Sequence, residues 1–217
     1  MDILKIIESR HSVRQYLDNP IEAEKKSELI ALANSLNARY DCHAQLLFDD
    51  EAFFKNAKAS YGLFSGCKNC VALVGKSAED CGYVGELISL KAQELGLNTC
   101  FVGLTYKKGE VKKRIKIEKG EKLQCAIALG YGKTQGFNRK SKTEDQILDI
   151  IGERPKILDD VVKACLLAPT AMNQQKFKIV CRDGDIKIEK HGIGFYLDVD
   201  LGIVKAHKDL VLGKISL

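Results

Sequence analysis

A capped helix that leads directly into an apolar strand, in residues 77–102, is the feature that most constrains the fold. Ser77 and Asp80 are typical of a helix start. The apolar residues that follow are spaced to form a single buried stripe: Val84, Leu87, Ile88, Ala92 and Leu95. Gly96 is placed to end the helix in the left-handed conformation, and residues 97–102 have the composition of a strand.

The rest of the chain alternates helices with few, widely separated strands. We predict further helices over residues 3–8, 20–37, 109–115, 155–167 and 195–210. We predict strands over residues 70–75 and 123–131, and a hairpin of residues 177–181 and 185–190 that turns at Asp183-Gly184. A polar connector covers residues 132–143. This order predicts an α+β fold.

The length of 217 residues suits one compact domain or two tightly packed halves, about 1–140 and 141–217. A weak similarity between residues 20–37 and 155–173 is in keeping with two related halves, although coincidence is its default explanation. No apolar run has the ~18–20 residues that a membrane helix needs, and the first residues lack the pattern of a signal peptide. We therefore expect a cytoplasmic protein that contacts no membrane.

Charge and cysteine content argue against nucleic-acid binding and against a metal site. The net charge of +5 is concentrated near residues 107–122, but glutamates interrupt that segment and aromatic residues are missing, so a solvated helix face is favoured over nucleic-acid binding. The eight cysteines lie mainly in apolar runs, which indicates reduced packing residues. Cys67 and Cys70 form a single CxxC pair without a second one, so we predict no metal site.

Residues 9–16, Ser-Arg-His-Ser-Val-Arg-Gln-Tyr, form the first segment that can carry chemistry. Two arginines and a serine at the end of a short helix suit a phosphate group. A polar helix end with surface arginines is the alternative. The segment resembles the Ser-Arg-Arg-Ser-x-Arg-x-aromatic signature near the N-terminus of the nitroreductase family. The resemblance implies a nitroreductase-like fold, with a central, mostly antiparallel sheet flanked by helices. It also implies a grip on the ribityl chain and phosphate of FMN by Arg10, His11, Ser12 and Arg14.

Two further segments resemble parts of the same family. Residues 95–104, followed by Ala-Leu-Gly-Tyr at 128–131, are similar to the family's Gly-Leu-Gly-x-Cys-Trp-Ile-Gly stretch and its Ala-Leu-Gly-Tyr-Pro. The resemblance implies that Gly103 and Leu104 face the flavin ring, where a backbone donor would stabilise charge that develops at N5. It also implies that Lys140 and Lys142 in the connector reach the phosphate.

The fourth segment is Ala-Pro-Thr-Ala-Met-Asn-Gln-Gln-Lys-Phe at residues 168–177, similar to the family's Ala-Pro-Ser-x-x-Asn-x-Gln-Pro-Trp-x-Phe. The resemblance assigns contacts with the ring side of the flavin to Pro169, Thr170, Ala171, Asn173 and Gln175. Lys176 and Phe177 replace the family's proline and tryptophan. In typical members this segment comes soon after the arginine signature, whereas here it lies near the C-terminus. The displacement suggests a pseudo-dimeric monomer, with a homodimer like that of typical members as the alternative.

The resemblance implies an enzyme that transfers reducing equivalents from NAD(P)H through FMN to a small acceptor, such as a nitroaromatic or a quinone. The flavin does the chemistry, so we predict no catalytic side chain. The alternatives are a flavin carrier or sensing protein without turnover, and a small cysteine–metal domain.

Overall fold

The computed structural model describes residues 2–55, 58–59 and 62–217. The helices are α1 (Ile3–Ser9), α2 (Ala23–Asn37), α3 (Ala78–Glu94), α4 (Lys108–Lys112), α5 (Glu144–Ile147), α6 (Leu158–Leu167) and α7 (Leu197–Val211). The strands are β1 (His43–Leu47), β2 (Lys58–Ala59), β3 (Gly62–Leu63), β4 (Asn69–Gly75), β5 (Asn98–Val102), β6 (Lys122–Gly130), β7 (Leu148–Ile151), β8 (Phe177–Arg182) and β9 (Asp185–Lys190). Glu51–Phe53 and Ala171–Asn173 form 3-10 turns.

The main sheet has four strands in the order β1-β4-β6-β5, and every neighbouring pair is antiparallel. Every residue of β4 is buried, as its continuous apolar sequence requires. Helices pack beside the sheet, and α3 contacts β1, β4, β5 and β6. The predicted α+β architecture with an antiparallel sheet flanked by helices is confirmed.

A second sheet has the order β7-β8-β9, with β7 parallel to β8 and β9 antiparallel to it. The predicted hairpin is present. Asp183 and Gly184 have φ angles of 46° and 86°, which is the left-handed pair that a two-residue hairpin turn prefers. The parallel pairing of β7 was not predicted, because residues 148–151 are largely exposed and show no alternation of apolar and polar side chains.

Helices α3 and α7 pack backbone against backbone. A Cβ atom on Gly202 of α7 would lie 1.9 Å from the carbonyl oxygen of Glu79, and one on Gly82 of α3 would lie 2.0 Å from that of Val199. Only glycine permits such an approach. The Ser77 side chain accepts a hydrogen bond from the backbone of Asp80 at the start of α3, as predicted. This close pair of helices fixes the polar side chains that the two helices contribute to the interior.

Several helix boundaries differ from the prediction. α2 begins at Ala23 instead of residue 20, because Pro20 precedes an extended cap residue, Glu22. α6 begins at Leu158 instead of residue 155, because the Pro155 carbonyl first closes a turn with Leu158. α4 has five residues, fewer than the seven predicted. α7 begins two residues later than predicted, after a left-handed Tyr196.

All eight cysteines are buried and unpaired, as predicted. The described part of the chain contains no group of three or more His, Cys, Asp or Glu side chains that could hold a metal ion. No helix among the described residues is long and apolar enough to cross a membrane.

Candidate functional site

The predicted N-terminal segment meets the connector between β6 and α5. His11 forms a 2.9 Å hydrogen bond from Nε2 to Oδ1 of Asn138. Gly136 lies so close that a Cβ atom there would be 2.5 Å from the His11 Cβ. Ser12 pairs with Thr99 of β5 as an isolated parallel bridge. These contacts hold the end of α1 against the main sheet and the connector.

The same connector reaches the loop that follows α6. The Lys142 ammonium donates to the backbone carbonyl of Gln175 at 2.7 Å, and the Lys142 N–H donates to the Gln175 side chain at 2.7 Å. The Asn173 amide donates to the carbonyl oxygen of Lys140 at 2.7 Å. The Gln175 N–H donates to the Thr170 hydroxyl at 3.1 Å. Three segments that are distant in sequence therefore converge on one place.

The loop of residues 168–175 has a strained backbone. Three of its non-glycine residues have positive φ angles: Met172 (53°), Asn173 (52°) and Gln175 (45°). Such conformations are uncommon for non-glycine residues and persist where surrounding contacts enforce them. Asp200 of α7 supplies two of those contacts, accepting from the Ala171 N–H at 2.9 Å and from the Gln174 amide at 2.7 Å.

Asp200 is 7% exposed, and its environment shifts its protonation. Burial raises the pKa of this carboxyl to about 6. The hydrogen bonds from Gln174 and Ala171 and the charge of Arg139 oppose the shift by favouring the carboxylate. Asp200 therefore ties the loop to α7 through bonds that depend on its charge.

A buried charged cluster lies beneath the same loop. The Arg10 Nε atom lies 3.5 Å from Oε1 of Glu86 in α3, and both side chains are nearly inaccessible to solvent. His207 of α7 contacts the same Oε1 at 2.7 Å. Arg139 donates to the carbonyl oxygens of Leu167 and Ala168 at 2.7 and 2.5 Å. Burial, and then the positive charge of Arg10, lower the pKa of Arg139 to about 10.

Aromatic and aliphatic side chains surround the other side of the loop. The Tyr196 ring covers Gly103, where a Cβ atom would lie 2.5 Å from the ring. The Gln174 amide donates to the Phe195 carbonyl at 2.8 Å, which joins the segment before α7 to the loop. Three side chains near these contacts are strongly exposed: Leu104 (83%), Ile193 (92%) and Phe195 (82%). We refer to these three exposed apolar side chains as the apolar rim.

The sequence-predicted residues fall into two groups in the structure. Direct contacts link His11, Lys140, Lys142, Thr170, Ala171, Asn173 and Gln175 to the convergence of connector and loop. Pro169 is buried within the loop. Gly103, next to Leu104, contacts the site through the Tyr196 ring. Arg10 acts on the site through its charge, which lowers the pKa of Arg139. The side chains of Leu104 and Lys140 point to solvent. Arg14 and Ser12 are half-buried beside β5.

Sequence reasoning missed five residues of the site: Glu86, Arg139, Tyr196, Asp200 and His207. Arg139 directly precedes the predicted Lys140, so its position in the basic part of the connector could have indicated a role in the site. Glu86 and His207 lie on helices whose apolar stripes explain them as ordinary interior positions. Only the α3–α7 contact brings those two together.

The donor set of the site fits a phosphorylated cofactor. The Arg10 Nε is a buried donor for which no hydrogen-bond partner exists among the described residues. Two guanidinium groups lie close enough to repel each other. An anionic group offers the acceptors that guanidinium groups favour.

Fold and site together define an α+β protein with a basic cluster and a strained loop at one end of a two-helix contact. The family described as "Putative TM nitroreductase" matches residues 2–211. The chain therefore belongs to this nitroreductase family. No curated protein matches its sequence.

Solved structures show the same fold. A "putative nitroreductase" from Thermotoga maritima is similar over 99% of this chain and 85% of its own, with 21% identity and a TM-score of 0.69. A "Putative NADH dehydrogenase/NAD(P)H nitroreductase" from Bacteroides thetaiotaomicron covers 68% of this chain and 96% of its own, with 21% identity and a TM-score of 0.54. A "Putative NADH Oxidase" from Clostridium acetobutylicum covers 65% and 96%, with 21% identity and a TM-score of 0.51.

Proposed function

We propose that this chain is an FMN-dependent oxidoreductase that passes reducing equivalents from NAD(P)H to a small acceptor, such as a nitroaromatic or a quinone. The observation that carries the proposal is the convergence of a buried arginine, Arg10, and a half-buried one, Arg139, beside the strained loop of residues 168–175. Membership of the nitroreductase family supports a flavin as the cofactor. The names of the Bacteroides and Clostridium proteins, which mention NADH or NAD(P)H, agree with a nicotinamide reductant.

The basic residues of the site would hold the charged tail of FMN. Arg10 is buried, and Arg139 is half-buried, as are His11, Ser12 and Arg14 in the segment that contains Arg10. Lys140 and Lys142 extend the basic surface along the connector. Guanidinium groups suit phosphate because their planar N–H donors match its oxygens.

The loop of residues 168–175 and the Gly103–Leu104 backbone would flank the flavin ring. When bound, FMN supplies two-electron redox chemistry. The chain's own contribution is to orient the ring and exclude water. The loop is suited to this because Asp200, Lys142 and Thr170 fix its backbone. The apolar rim of Leu104, Ile193 and Phe195 would receive a planar acceptor.

A saturable colour change tests the proposal. Purified protein titrated with FMN should take up the flavin, and anaerobic addition of NADH or NADPH should then bleach its visible absorbance within seconds. Adding a nitroaromatic or a quinone should restore the absorbance. Protein that stays colourless with excess FMN contradicts the proposal.

A flavin carrier or sensing protein is the second candidate, because Lys176 and Phe177 replace the proline and tryptophan of typical members. Phe177 is buried at the start of β8, and the Lys176 ammonium donates to the Ile193 carbonyl. A carrier would bind FMN but would bleach slowly or not at all with either nicotinamide.

The proposal includes a cytoplasmic location, a pseudo-dimeric monomer and no binding of nucleic acid or membrane. Support for the monomer comes from contacts within one chain that join residues up to position 140 to residues after it. Asn173 donates to the Lys140 carbonyl, Arg139 donates to the carbonyls of Leu167 and Ala168, and His207 contacts Glu86.

A further inference from the structure

The hydrogen bonds of His207 determine how many protons it shares with Glu86. Nδ1 of His207 lies 2.8 Å from the carbonyl oxygen of Ala164. A carbonyl only accepts, so Nδ1 carries a proton. Nε2 lies 2.7 Å from Oε1 of Glu86, and a contact this short between a ring nitrogen and a carboxyl oxygen also requires a proton between them. The proton belongs either to an imidazolium facing a carboxylate or to a carboxylic acid facing a neutral imidazole.

Both arrangements give the Glu86–His207 pair a net charge of zero. Neither side chain is accessible to solvent, so screening by water does not alter this count. Glu86 is the carboxyl that approaches Arg10, at 3.5 Å from its Nε. Arg10 therefore contacts a carboxyl that does not neutralise it. At Arg139 the charge of Arg10 lowers the pKa, and this effect is larger than the opposing one of Glu86, which raises it.

We propose that Glu86 and His207 are positioning residues, which share one proton and so orient Arg10 while leaving its positive charge available to the phosphate of FMN. The inference rests on the proposed function for the identity of the anion. Two unpartnered groups support it, since the Nε of Arg10 and the Oε2 of Glu86 are both buried without a hydrogen-bond partner among the described residues.

Substitution of Glu86 separates proton sharing from simple ion pairing. In Glu86→Gln the amide can accept from Arg10 and donate to a neutral His207, so geometry and charge stay as in the wild type. We expect the dissociation constant for FMN to change by less than about 3-fold. If Glu86 were instead an anion pairing with Arg10, removing its charge would tighten FMN binding about 10-fold, and that result would overturn the proposal.

Substitution of His207 supplies the converse. His207→Phe removes the shared proton, so Glu86 becomes a full anion that neutralises Arg10. FMN should then bind at least ~10-fold more weakly, whereas riboflavin, which lacks the phosphate, should bind as it does to the wild type. The double variant Glu86→Gln/His207→Phe should recover FMN binding. Equal losses for FMN and riboflavin would indicate damage to the fold and would contradict the proposal.

Two measurements keep the proposal testable if His207→Phe does not fold. Nitrogen-15 NMR of the wild-type imidazole should show a hydrogen on Nδ1 and a hydrogen-bonded Nε2; a solvent-exchanging, unbonded Nε2 would refute the shared proton.

Thermal shifts with inorganic phosphate report on the anion site without a flavin. If phosphate stabilises the wild type and Glu86→Gln but neither binds flavin, the proposed function is wrong while this inference is supported. If all variants bind flavin equally well, the proposed function is supported and this inference is wrong.

Discussion

At the residue scale, Asp200 makes the strained loop depend on pH. Its folded pKa of about 6 lies above the ordinary value of 3.8, so the folded state binds the proton more tightly than the unfolded state does. Its contribution to stability is therefore complete below pH 3.8 and is lost as the pH rises to about 6. The loss amounts to ~3 kcal/mol at most.

Asp200→Asn should remove this dependence. The difference in unfolding free energy between wild type and variant should shift in favour of the variant by up to ~3 kcal/mol between pH 4 and 6, and then stay constant. Urea unfolding at several pH values measures it. Asp198→Asn, an exposed change on the same helix, should show a difference that varies by no more than ~0.5 kcal/mol. A parallel response of the two variants would refute the assignment to Asp200.

Phe195 allows a test of the apolar rim. Its side chain is 82% exposed, so Phe195→Ala should leave the fold intact. If a planar acceptor packs against it, KM for a nitroaromatic or a quinone should rise about 3- to 10-fold, with the affinity for FMN unchanged. Ile151→Ala, an exposed change on β7 in the second sheet, is the control. An unchanged KM would exclude Phe195 from the acceptor site.

Local signatures explain which site residues the sequence could reveal. The Arg10 segment and the loop of residues 168–175 contain recognisable sequence motifs, because backbone turns and clustered donors are encoded locally. Glu86, Asp200 and His207 lie among apolar positions at helical spacing and belong to no such motif. Their role arises from contacts across 26 to 121 positions of sequence, which no local pattern contains.

At the element scale, the α3–α7 contact fixes the buried cluster, because Glu86 lies on one helix and Asp200 and His207 on the other. Gly202→Ala would place a Cβ atom 1.9 Å from the Glu79 carbonyl, a backbone atom that cannot rotate away. The helices must separate, and we expect a loss of ~2–4 kcal/mol in unfolding free energy together with weaker FMN binding.

Gly109→Ala is the matched control for this helix prediction. Gly109 lies in α4, and a Cβ atom there would meet nothing within 4 Å. Alanine in a helix is favoured over glycine by ~0.5–1 kcal/mol, so this variant should be as stable as the wild type or slightly more so. Thermal unfolding compares the two. A Gly202→Ala protein as stable as Gly109→Ala would show that the helix contact is not tight.

The sequence predicted elements well where caps and apolar periodicity coincide, as in α3 and the β8–β9 hairpin. It missed β1 and β7. The residues of β1 pair only with β4 along one edge of the sheet, and β7 is mostly exposed. Strands of this kind owe their conformation to a neighbour's hydrogen bonds, and their own side chains show no alternation.

At the scale of the whole molecule, the main sheet and the second sheet come from successive parts of the chain. The four strands of the main sheet lie within residues 43–130, and the three of the second sheet within residues 148–190. The site is built where the connector between them meets α1 and the loop after α6. Residues of both proposed halves thus meet within one chain, the arrangement expected if one polypeptide does the work of a two-chain interface.

Complementation between variants tests this architecture. Arg10→Ala disables the half before residue 140, and Asn173→Ala, which loses the bond to Lys140, disables the half after it. A site shared between two chains would regain about a quarter of its flavin capacity when the two variants are refolded together, because mixed dimers would each contain one intact site. A site within one chain regains nothing. We therefore expect no recovery of FMN binding on mixing, and native mass spectra of the wild type should show a single 24.1 kDa chain carrying one FMN.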